Sequence, residues 1–164
     1  MAQALKPREL YVNKFKAPEF TSNCSKEEAF LIILAAAVHA DEHTRRVEEQ
    51  ELLALLGRTR TLHSLGAADR RRMLEDATEA VRDHTRRNHS LENACAKLFE
   101  IDQKDSDEAG IRASVFAHAC DIIHLDLHVH EKEIPFLEYL YKKLRLSAAT
   151  ADQIQDAIKL KNAF

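Results

Sequence analysis

Two short segments of this chain share a spacing of side chains that bind divalent metal ions. Residues 39–43 read His-Ala-Asp-Glu-His, and residues 124–128 read His-Leu-Asp-Leu-His. Imidazole nitrogens and carboxylate oxygens together suit zinc, manganese, iron or nickel better than calcium. A His-x-Asp-x-His pattern that occurs twice therefore predicts one metal site to which both segments contribute.

An acidic residue follows each segment at the start of an apolar stretch. Glu51 lies four residues after Val47, and Glu133 lies four residues after Val129. When the two valines are matched, Glu51 corresponds to Glu133, and Glu48 is the alternative in the first copy. The repeat therefore predicts two similar halves, each a helix, a loop and a second helix, that face each other around one pocket.

The sequence is compatible with two arrangements of the metal ligands. If each first helix continues past its segment, the two histidines lie four residues apart on one helix face, which Asp121 extends in the second half. If each helix ends near the first histidine, the loops and the next helix starts supply carboxylates, and the histidines add nitrogen. We favour the second arrangement, because a carboxylate near a helix C-terminus opposes the helix dipole and a bound cation would offset that cost. The predicted metal ligands are Asp41, Glu51, Asp126, Glu133, His39, His43, His124 and His128.

A metal-free helical scaffold is an alternative explanation of the same residues. Histidines at helix ends often hydrogen-bond to the last carbonyls, and surface carboxylates often serve only solubility. Four histidines that lack a counterpart in the repeat are interpreted as hydrogen-bonded or solvated: His63, His84, His89 and His118. The basic cluster at 70–72 and the pair Arg86 and Arg87 are interpreted as solvated helix faces.

The sequence contains no familiar catalytic motif. It has no Gly-rich phosphate loop, no G-x-S-x-G and no H-E-x-x-H, so we assign no catalytic residue and favour a non-enzymatic role. A metal-dependent hydrolase or oxidase that uses the same ligands is the alternative, because an open coordination position cannot be recognised from ligands alone.

Composition predicts a cytoplasmic, all-α protein. The chain has 164 residues with only 3 Gly and 3 Pro, which favours one helical domain. Its formal charge of -3 gives no reason to expect nucleic acid as a partner. Three cysteines without a C-x2-C pair fit a reducing compartment. The longest apolar run, 29–38, is far shorter than the roughly 20 residues that cross a bilayer.

Periodicity divides the chain into an extension and a helical domain. Residues 1–24 contain two prolines and little period, so they are interpreted as an N-terminal extension. Residues 25–164 are predicted to form a single compact bundle. Ser25 and Glu28 have the spacing of a capping box, and the apolar run 29–38 predicts a central helix. About seven helices are predicted, at roughly 25–41, 48–58, 69–87, 91–101, 105–123, 131–144 and 148–160.

Several of these stretches resemble the tellurite-resistance TerB-like domain. Residues 116–133 read FAHACDIIHLDLHVHEKE, and FLEYL and LRLS follow at 136–140 and 144–147. The pattern of that family is a helix that ends in Ala-Asp-Gly, then Val or Leu, then Glu opening an apolar helix, and later Leu-Gly-Leu-Ser. Residues 39–41 with Val47 and Glu51 resemble its first copy. The resemblance covers residues 25–160, and Glu42, Leu127 and Arg145 stand where the pattern has glycine.

The resemblance implies a two-half helical domain whose repeated acids bind a metal, which by position are Asp41, Glu51, Asp126 and Glu133. The additional histidines exceed the family pattern and predict a more nitrogen-rich site. The resemblance further implies an adaptor or binding protein of tellurite resistance and chemical stress. Its expected partners are proteins, including membrane-associated stress-response proteins, and we also consider a homodimer.

Overall fold

Helices make up most of the chain that the computed structural model describes, which is residues 24–40, 52, 54–124 and 131–163. These residues contain no β-strand, so the predicted all-α class is confirmed. Their buried apolar side chains form one core, and no helix within them is both long and apolar enough to cross a membrane. The helices are α1 (Lys26–Val38), α2 (Arg60–His63), α3 (Ala67–Arg82), α4 (His84–Lys104), α5 (Ile111–Ile123), α6 (Glu133–Lys143) and α7 (Ala148–Asn162), with a helical stretch at 54–58 and a 3-10 turn at Ser106–Glu108.

Helix α1 lies at the centre of the bundle. It starts with the predicted capping box: Ser25 Oγ accepts a hydrogen bond from the Glu28 amide at 3.1 Å, and Glu28 Oε2 accepts one from the Ser25 amide at 2.7 Å. Nine residues between Ala29 and Val38 are buried, and α1 packs against α3, α4 and α5. Because the apolar side chains of α1 point in all directions from Ala29 onward, other helices must pack around it.

Helices α1 and α5 are structural counterparts. Each has 13 residues and ends at a histidine, His39 or His124. The backbone angles there are similar, with φ -96° and ψ 10° at His39 and φ -88° and ψ 4° at His124. Each histidine amide donates a hydrogen bond to the carbonyl four residues earlier, at 3.1 Å and 2.9 Å respectively. The first helices of the two predicted halves therefore end in the same way.

The two counterparts run in the same direction. Near their starts, Lys26 Nζ lies 2.8 Å from Glu108 Oε1, and further along, the Phe30 and His118 rings are 5.8 Å apart with an edge-on orientation. The contacts thus advance along both helices in the same order. His39 and His124 must therefore lie towards the same end of the bundle, which we call the histidine end.

Helix α6 runs back towards the histidine end. Arg112, near the start of α5, donates hydrogen bonds from Nη1 to the Leu144 carbonyl at 2.9 Å and the Arg145 carbonyl at 3.2 Å. Its Nε also forms an ion pair with Asp102 Oδ2 at 2.7 Å. The C-terminal end of α6 therefore lies at the start of α5. About one turn further into each helix, the Phe116 and Tyr141 ring centres are 6.4 Å apart, so α6 runs opposite to α5 and its first residue, Glu133, lies towards the histidine end.

Helix α7 packs on α5. Its start is capped by Ser147, whose Oγ accepts a hydrogen bond from the Thr150 amide at 3.1 Å. At its other end, Lys161 Nζ lies 2.6 Å from Asp121 Oδ2, and Asn162 Nδ2 lies 3.2 Å from Asp121 Oδ1. The last turn of α7 therefore also lies near the histidine end.

Some predicted helix boundaries were wrong, because side-chain caps interrupt the apolar pattern. The expected helix at 69–87 ends at Arg82, since Asp83 accepts a hydrogen bond from the Thr85 amide and starts α4. Helix α4 has 21 residues instead of the short helix expected at 91–101. Asp105 caps the 3-10 turn rather than α5, which begins only after Gly110 at a φ of 91°.

Arg145 takes the backbone conformation that glycine usually supplies. Its φ is 55°. The Arg145 amide donates to the Lys142 carbonyl and the Leu146 amide to the Tyr141 carbonyl, both at 3.0 Å. This pair of bonds defines a Schellman motif, in which a residue after the helix is left-handed. The turn that the resemblance associates with glycine thus forms with an arginine whose guanidinium lies 4.4 Å from the Phe99 ring centre.

Two substitutions at this turn separate backbone strain from side-chain stacking. Arg145→Gly and Arg145→Ala both remove the contact with Phe99, but only alanine retains the steric cost of a positive φ. We expect the glycine variant to have the larger free energy of unfolding, by about 1 kcal/mol. Urea unfolding followed by circular dichroism measures the difference, and an alanine variant of equal or greater stability would contradict this account of the turn.

Candidate metal centre

Three of the eight predicted ligands lie in the described part of the chain, and all three are placed towards the histidine end: His39, His124 and Glu133. The other five predicted ligands, Asp41, His43, Glu51, Asp126 and His128, lie outside the described residues. Among the described residues, no three His, Cys, Asp or Glu side chains lie close enough together to hold a metal ion. The described residues therefore supply donors but not a complete ligand set.

His124 presents a donor nitrogen that suits metal binding. Its side chain is half-buried, and its buried Nε2 has no hydrogen-bond partner among the described residues. Burial lowers the pKa of His124, as does the nearby Lys159 ammonium, while Asp121 raises it. The net effect favours the neutral imidazole at physiological pH, and neutral imidazole is the form that binds metals.

Glu133 is a buried carboxylate at the start of a helix. It is 8% exposed, and the described residues include only one other buried polar or charged residue, Thr59. The N-terminus of a helix carries partial positive charge and stabilises an anionic side chain there. A carboxylate oxygen in such a position can bind a divalent ion, so Glu133 is a suitable oxygen donor.

His39 lies where α1 meets α3 and α4. Its carbonyl accepts a hydrogen bond from Arg87 Nη2 at 2.6 Å, and Arg87 Nε donates to the Val81 carbonyl at 3.1 Å. Arg87 is half-buried, so its interpretation as part of a solvated face was wrong. No sequence signal distinguished it from its exposed neighbour Arg86.

A groove of about 960 Å³ opens beside His39. Its floor is apolar, and α3 supplies most of a wall of mixed charge. A ligand larger than a metal ion would thus have space next to the histidine end. The lining residues are Ala35, Val38, His39, Leu52, Arg71, Leu74, Glu75, Thr78, Glu79, Arg82, Asp83 and Arg86.

The ends of α1 and α5 favour the loop arrangement of ligands over the helix-face arrangement. The helix-face arrangement requires α1 and α5 to continue past the histidines, but they end at Val38 and Ile123. Asp121, which would extend that face, is already bound to Lys161 and Asn162 of α7. Carboxylates from the loops and helix starts are therefore the better candidates.

The pattern of buried residues in the second helix of each half indicates whether Glu48 or Glu51 matches Glu133. If His39 is matched to His124 without a gap, the buried Leu52 and Thr59 fall on the buried Leu137 and Leu144. The register that pairs Glu51 with Glu133 instead places Leu52 on Ile134, which is 60% exposed. The ungapped register pairs Glu48 with Glu133, so burial favours the alternative that the sequence left open.

The sequence matches no protein-family model, and comparisons with curated proteins and with solved structures find no match. The likeness to the TerB-like domain therefore stays a prediction based on its motifs.

The burial of His118 predicts that the folded protein loses stability in acid. Burial lowers its pKa, with Asp121 opposing the shift and Lys161 adding to it. A histidine whose pKa is lower in the folded state than in the unfolded state binds protons more readily when unfolded. Its contribution to stability is therefore present above the unfolded pKa of about 6.5 and falls as the pH drops below it.

We expect the free energy of unfolding of the metal-free protein to decrease between pH 7.5 and pH 5.5. His118→Phe retains a ring against Phe30 but cannot be protonated, so the decrease should be smaller in this variant. Urea titrations in the presence of a chelator measure both slopes. An identical slope in wild type and His118→Phe would show that His118 does not contribute.

Proposed function

We propose that this protein is a divalent-metal-binding helical module in which two similar halves hold one ion at the histidine end. The observation that supports this most directly is the common direction of α1 and α5. Because both helices end towards the same end of the bundle, the two segments that carry the repeated ligands both begin at that end. One ion could then take donors from both halves.

The described donors suit a borderline transition metal. A neutral imidazole at His124 and a buried carboxylate at Glu133 provide nitrogen and oxygen, which is the combination that zinc, manganese, iron and nickel use. In the proposal, Asp41 and Asp126 add carboxylates from the two loops, and Glu48 or Glu51 is the partner of Glu133. His39, His43 and His128 supply the further nitrogen.

We propose a binding or adaptor role for this module rather than catalysis. The support for a role in tellurite resistance or chemical stress is the similarity of its two halves to the TerB-like pattern. In that role, the metal would fix the two loops against each other and so present one defined surface to a protein partner. Membrane-associated stress-response proteins are the partners that the resemblance suggests, and a cytoplasmic location agrees with that role.

A pair of glutamates on α6 provides a direct test of the metal site. Glu133→Gln retains the shape of a buried side chain but removes its charge, so we expect it to weaken metal binding by at least about tenfold. Glu138→Gln is the matched control, because Glu138 lies on the same helix, is exposed and pairs only with Lys142 among the described residues. Zinc and manganese titrations of untagged protein measure the affinities.

Three results of these titrations would have distinct meanings. Loss of binding in Glu133→Gln with normal binding in Glu138→Gln supports the proposal. Equal metal affinity in the wild type, Glu133→Gln and Glu138→Gln would show that Glu133 is not a ligand. A wild-type protein that binds neither metal would contradict the proposed function and leave the metal-free scaffold as the explanation.

A further inference from the structure

Arg87 ties the His39 end of α1 to the rest of the bundle. It lies in the first turn of α4, and its single guanidinium donates to the His39 carbonyl at 2.6 Å and to the Val81 carbonyl at 3.1 Å. These carbonyls belong to the ends of two different helices, α1 and α3. One side chain therefore joins three elements where the first loop begins.

The chemistry of the guanidinium explains why an arginine occupies this position. The last carbonyls of a helix have no partner within the helix and carry partial negative charge. A guanidinium is a planar group with several fixed donors, so it can bind two carbonyls at once in one geometry. A lysine ammonium carries the same charge but lacks this rigid fork.

The bond to His39 also constrains the chain that follows. The orientation of the His39 carbonyl is set by the same backbone rotation, ψ of 10°, that sets the direction of the next residue, Ala40. A hydrogen bond that fixes this carbonyl therefore fixes the direction in which the chain leaves α1. The predicted ligand Asp41 follows directly.

We infer that Arg87 is a positioning residue of the candidate metal centre, which holds the His39 end of α1 so that the first half can share an ion with the second. This inference rests on the proposed function. Arg87 acts through the backbone of His39 and is not itself a ligand, because a guanidinium is always protonated and has no lone pair to offer.

The sign of the effect distinguishes positioning from simple electrostatics. A positive charge close to a cation repels it, so removal of that charge alone should strengthen metal binding. Loss of a positioning contact should instead weaken binding, even when the charge is retained. Arg87→Lys and Arg87→Met therefore separate the two explanations.

The test uses Co²⁺ as a spectroscopic probe on the full-length protein. We expect both Arg87→Lys and Arg87→Met to reduce Co²⁺ affinity by about tenfold or more and to change the visible absorption bands that report ligand geometry. Arg86→Lys and Arg86→Met are the matched controls, because Arg86 is the exposed neighbour and meets Asp83 only at 4.0 Å. The Arg86 variants should match the wild type.

Several results would overturn the inference. If Arg87→Lys has the Co²⁺ affinity and spectrum of the wild type, or if Arg87→Met binds Co²⁺ more tightly, Arg87 affects the site only through its positive charge. If Arg87→Met fails to fold by circular dichroism, Arg87→Lys decides alone. A wild-type protein that gives no Co²⁺ spectrum would contradict the proposed function itself. If the wild type binds Co²⁺ and the Arg87 variants bind it equally well, only this inference is contradicted.

Discussion

The burial of nine of the 13 residues of α1 constrains the rest of the bundle. From Ala29 to Val38 this helix has apolar side chains on all sides, so it is stable only when other helices surround it. Helices α3, α4 and α5 meet this requirement, and α5 does so while running in the direction of α1. The position of His39 and His124 towards one end follows from this packing, since each histidine ends one of these two helices.

Arginine side chains then connect the ends of these helices. Arg87 binds carbonyls at the ends of α1 and α3, while Arg112 binds carbonyls at the end of α6 and pairs with Asp102. Each satisfies acceptors that a helix cannot satisfy by itself. Because Arg87 and Arg112 act at opposite ends of α4, they fix the directions of the helices around it. The orientation of α6, which places Glu133 towards the histidine end, depends on the contact of Arg112 with the end of that helix.

Local signals in the sequence predicted much of this fold. The capping box at Ser25 and the apolar runs are short-range features, and so the starts of α1 and α7 were predicted correctly. The break at Asp83 was missed, because helical periodicity continues across it and only a side-chain cap marks the boundary. The repeat alone suggested that the two histidines share an end, and the contacts that orient the helices, such as Lys26 with Glu108, join residues 82 apart and could not be predicted. The role of Arg87 was missed for the same reason.

The central claim is that both halves contribute to a single ion at the histidine end. Crystals of the full chain, soaked with Mn²⁺ or Zn²⁺ and measured at the absorption edge of the metal, test it most directly. The account predicts one anomalous peak per chain, bounded by Glu133, by a nitrogen of His124 and by at least one side chain of the first half. Two separate peaks, one at each half, or no peak at this end of the bundle, would contradict it.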